Sequence, residues 1–122
     1  MSESACKVSW NAMRIRRQRE FHRLFRSGKK GQCGPLNVHI HSTDSICSRM
    51  GLAVGRQVGG AVRRNRVKRL LRTAFRSLHH DWPEPLDVIV VVQPHDPATI
   101  DCYRTWLHDA VQNATRAKRD SA

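Results

Sequence analysis

The chain has 122 residues, enough for one domain with a single modest core, and it carries a formal net charge of +12 with a sequence pI of about 11. A charge this far from zero favours an anionic partner, of which nucleic acid is the commonest. The charge is unevenly distributed, since residues 7–76 hold 18 Lys and Arg against two acidic residues and the remainder holds four against eight. We therefore expect the first two thirds to bind the partner and the last third mainly to fold.

The composition also argues against several classes of protein. No run of 18 apolar residues occurs, and the N-terminal region lacks the apolar core of a secretory signal, so we expect a cytoplasmic protein without a membrane partner. The four cysteines include no Cys-x-x-Cys pair, which is typical of reduced thiols. A zinc site built from Cys33, His39, His41 and Cys47 is disfavoured because the paired short spacings of such sites are missing.

The N-terminal region is predicted to contain an extension and one short helix. Residues 1–13 show no periodicity and are expected to be disordered, and Met13 is a candidate start of translation that N-terminal mass measurement would test. A helix is predicted at Gln18–Arg26, with Phe21 and Phe25 on its apolar side. The spacing of these phenylalanines favours core packing, and the alternative is stacking on unpaired bases.

Two strands are predicted next, after a connector at 29–35. Residues 36–41 alternate strictly between apolar and polar side chains, as in a strand with one buried face. The inward residues are Leu36, Val38 and Ile40, and the outward ones, solvated or in contact with RNA, are Asn37, His39 and His41. The second strand is predicted at 50–55, and the polar loop 42–49 indicates a hairpin between the two.

The central feature is an amphipathic helix between Gly59 and Leu78, which carries no acidic residue. Its apolar face consists of Val67, Leu70, Leu71, Ala74, Phe75 and Leu78. Its opposite arc consists of Asn65, Arg66, Lys68, Arg69, Arg72 and Arg76. An ordinary solvated helix mixes charges of both signs, so this arc predicts a polyanion-binding surface.

The last third of the chain predicts a buried strand and a closing helix. The β-branched run at 86–92 is typical of a central strand covered on both faces. A helix is predicted to begin near Ala98 or Thr99, followed by a flexible tail at 116–122. The whole pattern predicts a single-domain α/β sandwich in the order α-β-β-α-β-α, with room for one further short strand.

No autonomous catalytic or metal site is predicted. Asp81, Glu84 and Asp87 lie in a proline-interrupted connection whose simplest role is to end the helix. His79 and His80 are adjacent, so on a helix they point about 100° apart and are not aimed at one phosphate. A Gly-x-x-x-x-Gly-Lys phosphate loop and a nucleophile elbow are both absent from the sequence.

One segment resembles a known family. Residues 60–72, Gly-Ala-Val-Arg-Arg-Asn-Arg-Val-Lys-Arg-Leu-Leu-Arg, are similar to the signature of the bacterial ribonuclease P protein subunit. The resemblance extends through Arg14-Ile15-Arg16-Arg17, the pair Phe21 and Phe25 with Gly28, and the strands at 51–54 and 87–92. It covers a domain at residues 14–115.

This resemblance implies a fold and an activity. The fold is a sandwich like domain 2 of ribosomal protein S5. The activity is that of a ribonucleoprotein whose RNA subunit, with Mg²⁺ bound mainly by that RNA, hydrolyses precursor tRNA to release the 5′ leader. This chain would then bind the catalytic RNA and precursor tRNA, with no catalytic residue, metal ligand or small-molecule substrate of its own.

The resemblance also assigns residues. Contacts with the catalytic RNA fall on Arg63, Arg64, Asn65, Arg66, Lys68, Arg69 and Arg72. Contacts with the leader or precursor fall on Arg17, Phe21, Phe25, Asn37, His39 and Arg56. Asn37 and His39 replace an apolar residue and a tyrosine common in the family, so leader binding is expected to depend less on stacking and more on pH.

Two alternatives from other classes stay open at this point. A general RNA-binding protein, ribosomal or chaperone-like, would bind RNA without promoting leader removal. A stand-alone ribonuclease would cleave with no RNA subunit present.

Overall fold

The computed structural model describes residues 29–43, 47–82 and 84–120, which form a four-stranded sheet and two long helices. The elements are β1 (Lys29–Cys33), β2 (Leu36–Ser42), β3 (Arg49–Val54), α1 (Ala61–Leu78), β4 (Leu86–Val92) and α2 (Ile100–Asp120). This arrangement confirms the predicted α/β class, and β1 is the further short strand. The predicted helix at 18–26 and the extension at 1–13 lie outside the described residues.

The strand order is β1-β2-β4-β3, with β3 parallel to β4 and the other neighbours antiparallel. The predicted hairpin between residues 36–41 and 50–55 is wrong because β4 lies between those strands. The apolar run of β4 is almost entirely buried, and a strand of that kind belongs at the centre of a sheet. The hairpin that does form joins β1 to β2, and its first strand occupies part of the predicted connector.

The main core lies between the helices and one face of the sheet. The alternation predicted for β2 is confirmed, since Leu36, Val38 and Ile40 are buried against the helices. The predicted stripe of α1 is also confirmed, with Val67, Leu71, Ala74 and Phe75 buried and Leu70 and Leu78 packed at its edge. The stripe of α2 consists of Tyr103, Leu107, Ala110, Val111 and Ala114. These helices therefore turn their remaining, polar faces outward.

Two glycines allow close approaches that position α2. A Cβ atom on Gly31 would overlap the backbone of Ala110 and Ala114, so α2 rests directly on β1. Gly34 closes the β1–β2 turn at a φ of +56°, and a Cβ there would lie 2.6 Å from Trp106 Nε1. The β1–β2 hairpin and α2 are thus packed so closely that no side chain fits between them at Gly31 or Gly34.

Helix α1 ends at Leu78, as the sequence predicts, whereas α2 continues past its expected end. Helix α1 passes into a short 3₁₀ turn at His79–Asp81 before the prolines. Helix α2 extends to Asp120, so most of the 116–122 segment is helical, and its flexibility stays a prediction. Neither α1 nor α2 has the length and apolar character that a membrane span needs.

Candidate nucleic-acid interface

Helix α1 presents a basic face away from the core. Its exposed polar residues include Asn65, Arg66, Arg69 and Arg76, while Arg64, Lys68 and Arg72 are partly exposed. Arg49–Asp87 and Arg104–Asp101, which are ion pairs between described residues, lie outside α1. This outward arc, which we call the α1 basic face, therefore matches the sequence prediction in its placement.

The N-terminus of α1 adds to the positive potential of this face. The N-cap residue Gly60 makes no side-chain capping bond, and the first turn contains no acidic residue. The first amide N–H groups of a helix carry a partial positive charge because they have no partner within the helix. Arg56, in the 3₁₀ turn just before α1, is exposed beside this end.

Arg63 belongs to the fold more than to the basic face. Its Nε donates a 2.9 Å hydrogen bond to the Val58 carbonyl, and its terminal nitrogen donates to the His95 carbonyl. Arg63 lies four residues before the buried Val67, which places it on the core side of the helix. The structure thus uses Arg63 to join α1 to the loop after β4, and its contact with the catalytic RNA stays a prediction.

The second predicted surface lies on the sheet face turned away from the helices. The strand register places Lys30 beside His39 and Gln32 beside Asn37 on this face. On the next strand, β4, Val91 lies beside Asn37. Together with Gln93 these residues line a groove of about 470 Å³, which we call the second-face groove. Asn37 and His39 are therefore brought together, next to a lysine that sequence reasoning had assigned to a connector.

His39 is less available for protonation than the sequence suggested. Its side chain is only 5% exposed, and burial, followed by the charge of Lys30, lowers its pKa below 6.5. Near neutral pH the ring is therefore uncharged. Any contribution of a protonated His39 to anion binding is shifted to more acidic pH than expected.

A cluster of three aromatic rings stands where the loop after β4 meets α2. His95, Tyr103 and Trp106 pack edge to face, with ring centroids 5.4 to 5.9 Å apart. His95 Nε2 and the Tyr103 hydroxyl are joined by a 2.7 Å hydrogen bond. Burial raises the pKa of Tyr103, and the positive charges of Arg63 and Arg66 oppose this shift, so the cluster lies close to the start of the α1 basic face. Sequence reasoning missed it because residues 93–97 show only turn signals.

Comparison with known proteins settles the family. The family model for ribonuclease P matches residues 10–115. The chain belongs to the ribonuclease P protein family. The ribonuclease P protein component of Oceanobacillus iheyensis is 33% identical over 81 residues, which cover 66% of this chain and 67% of that protein.

Solved structures of ribonuclease P proteins share the fold. A Staphylococcus aureus RNase P protein mutant superposes with a TM-score of 0.77 at 23% identity, over 86% of this chain and 90% of that one. The RNase P protein from Thermotoga maritima gives a TM-score of 0.68 at 28% identity, over 87% and 96% of the two chains. The chain is therefore a subunit of ribonuclease P, which acts in tRNA 5′ processing, and the family implies an RNA partner and a tRNA substrate.

The carboxylates considered for catalysis do not converge in this ribonuclease P protein. Asp87 is 3% exposed and receives two hydrogen bonds from Arg49, of 3.0 and 2.8 Å, across β3 and β4. Glu84 accepts a 3.2 Å hydrogen bond from the Ser42 hydroxyl. Within the described ranges, no group of three or more metal-ligating side chains is present. The charge of Asp87 is thus used to hold the sheet together.

The cysteine and histidine ligands considered for zinc are also separated. Cys33 faces α2, where burial and the nearby Asp109 raise the pKa of its thiol, whereas His39 lies on the opposite sheet face. A protonated thiol is a poor zinc ligand because the thiolate is the binding form. Cys33 and Cys102 are free thiols.

The adjacent histidines at the end of α1 have a packing role. Their rings are in contact, with centroids 4.0 Å apart, although their sequence positions suggested divergent directions. His79 is 6% exposed and stacks on Phe75 at 5.2 Å, and burial together with His80 lowers its pKa to about 4. A buried, neutral ring of this kind stabilises the core and is poorly placed to transfer a proton to RNA.

Proposed function

We propose that this chain binds the catalytic RNA of ribonuclease P through the α1 basic face and the single-stranded 5′ leader of precursor tRNA through the second-face groove. The observation that carries the proposal is the separation of these two surfaces. One is an acid-free helix face, and the other is a polar groove on the far side of the sheet. A protein with two such surfaces can hold two RNA segments at once.

The α1 basic face suits a structured RNA partner. Arginine binds phosphate oxygens through a planar fork and also stacks on bases, so a helix rich in arginine can follow a folded backbone. The proposed contacts are Arg64, Asn65, Arg66, Lys68, Arg69 and Arg72. Arg63 supports them indirectly, because its hydrogen bonds fix the start of the helix.

The second-face groove suits an unpaired strand. Lys30 supplies a positive charge for the phosphates, and Asn37 and His39 supply hydrogen-bonding groups for bases. The family resemblance adds Arg56, which is exposed, and Arg17, Phe21 and Phe25, which lie outside the described residues. Stacking of bases on the phenylalanines would complete a site with little sequence preference.

Mg²⁺ belongs to the RNA subunit in this proposal. The described residues offer no converging carboxylates that fit the ion, since Asp87 is paired with Arg49 and Glu84 is bound to Ser42. The chain would therefore act by binding and positioning RNA, with the hydrolytic chemistry supplied elsewhere.

The direct test is cleavage of a 5′-labelled precursor tRNA at low Mg²⁺ by the protein alone, by the cognate catalytic RNA alone, and by both together. We expect efficient cleavage at the mature 5′ end only from the combination. Cleavage by the protein alone would indicate a stand-alone ribonuclease. Binding without any stimulation would indicate a general RNA-binding protein.

A pair of matched variants tests the assignment of α1. Replacing Arg66 and Arg69 together by alanine should weaken assembly with the catalytic RNA and reduce the salt dependence of log K by about one to two units, because two phosphate contacts are lost. The control replaces Arg104 and Arg116, which are exposed on α2, and removes the same charge. Equal salt slopes for both variants would contradict the assignment.

A further inference from the structure

A second cavity, of about 670 Å³, opens beside Trp106 where β4 runs into the 93–99 loop. Its wall combines the partly buried indole of Trp106 with Pro35, Pro94 and the polar side chains of Gln32 and Gln93. Sites that enclose a small molecule typically measure about 300–1,000 Å³ and pair apolar walls with a few polar groups. The cavity, which we call the Trp106 pocket, is therefore of a size and lining that suit a nucleobase.

The indole ring is held in place before any ligand binds. Tyr103 and His95 pack against it edge to face, at interplanar angles of 89° and 85°. The hairpin turn at Gly34 lies against the ring, in space that a side chain on Gly34 would fill. A base that stacks on a ring already fixed in one orientation loses less free energy to side-chain ordering.

The Trp106 pocket and the second-face groove share two lining residues. Gln32 and Gln93 line both, so the two depressions meet at these side chains. Lys30 supplies a positive charge in the groove, whereas the charged side chain that lines the pocket is the acidic Asp96, and Arg63 binds the His95 carbonyl beside it. A strand that follows the groove with its phosphates near Lys30 can therefore extend toward Trp106.

We propose that the Trp106 pocket takes one unpaired nucleobase of the 5′ leader, which stacks on Trp106 while a neighbouring nucleotide occupies the second-face groove. This inference rests on the proposed binding of the leader in that groove. Stacking on an aromatic ring accepts any base, and the amide groups of Gln32 and Gln93 can donate and accept hydrogen bonds. The pocket thus extends the leader site by one nucleotide with little selectivity.

The test uses the reconstituted holoenzyme and precursor tRNAs whose leaders are shortened one nucleotide at a time. With the wild-type protein, affinity should drop at the length where the leader no longer reaches the pocket. Trp106→Leu should weaken binding of longer precursors about tenfold, in the range found for loss of one base–aromatic stack. The same variant should leave the binding affinity for mature tRNA, and for precursors with the shortest leaders, unchanged. With the wild-type protein, an abasic nucleotide at the critical position should cause the same loss of affinity. With Trp106→Leu, the abasic nucleotide should cause no further loss.

Two further variants keep the result interpretable. His108→Ala, an exposed change on the same helix, should behave as wild type. Gln93→Ala, which alters only an exposed side chain at the junction, should cost about threefold with long leaders alone, so the test does not depend on the folding of Trp106→Leu. Equal losses with mature tRNA, or no loss at any length, would overturn the pocket while leaving leader binding in the groove intact. If wild-type holoenzyme showed no preference for precursor over mature tRNA, the proposed function and this inference would both fail.

Discussion

The buried His79 makes stability fall as the pH is lowered, and the size of the effect follows from its pKa. Folding lowers that pKa from 6.5 to about 4, so the unfolded chain binds the proton more readily than the folded one. Stability is fully present above pH 6.5 and is lost progressively as the pH falls toward 4. Between pH 7.5 and 5 the expected loss in the free energy of unfolding is about 2 kcal/mol, or about 8 °C in Tm.

The assay is urea unfolding followed by circular dichroism at pH 7.5 and 5.0, a window above most carboxylate titration. His79→Phe keeps an aromatic ring against Phe75 and removes the titrating group, so it should lose most of the pH dependence. The pKa of His39 is also lowered, so His39 likewise destabilises the fold as the pH falls. His79→Phe should therefore keep a small residual dependence of stability on pH. His108→Gln, which removes an exposed histidine, should retain the full dependence. If His79→Phe lost as much stability as wild type between the two pH values, the reasoning would be refuted.

Three other variants test contacts described above. Gly31→Val should destabilise the fold by several kcal/mol, because its side chain would overlap the α2 backbone at Ala110, and thermal melting would measure this. Arg49→Met should cost about 2 kcal/mol in urea unfolding, because it leaves the buried Asp87 carboxylate without the Arg49 guanidinium, whose side chain is itself 25% exposed. An unchanged midpoint would argue against the ion pair. Arg63→Ala should weaken assembly with the catalytic RNA at an unchanged salt slope, whereas a reduced slope would show that Arg63 contacts phosphate directly.

Local patterns in the sequence predicted most elements because side-chain periodicity reports directly on which face is buried. The stripe from Val67 to Phe75 and the β-branched run at 86–92 were sufficient to place α1 and β4. The alternation at 36–41 also placed Asn37 and His39 on the sheet face opposite the helices, but the exposure expected of His39 was wrong, since its side chain is buried there. The basic face of α1 followed from the same periodicity.

Features that depend on distant partners could not be predicted in this way. Strand β1 has no apolar alternation, since its lysines are exposed and Gly31 faces a helix eighty residues further along the chain. The separation of β2 from β3 depends on β4, which competes for the central position. The aromatic cluster around Trp106 likewise forms only when the loop after β4 folds onto α2.

The strand order has a consequence for how the chain acquires its structure. Strand β4 pairs with both β2 and β3, so neither of those strands can complete its hydrogen bonding until the segment that follows α1 has arrived. Pairings between strands far apart in sequence form slowly, whereas a helix can form from local contacts within microseconds. During synthesis, therefore, the arginine-rich helix can form while the sheet beneath it is still incomplete. Until β4 emerges from the ribosome, the apolar stripe of α1 has only an incomplete sheet to pack against.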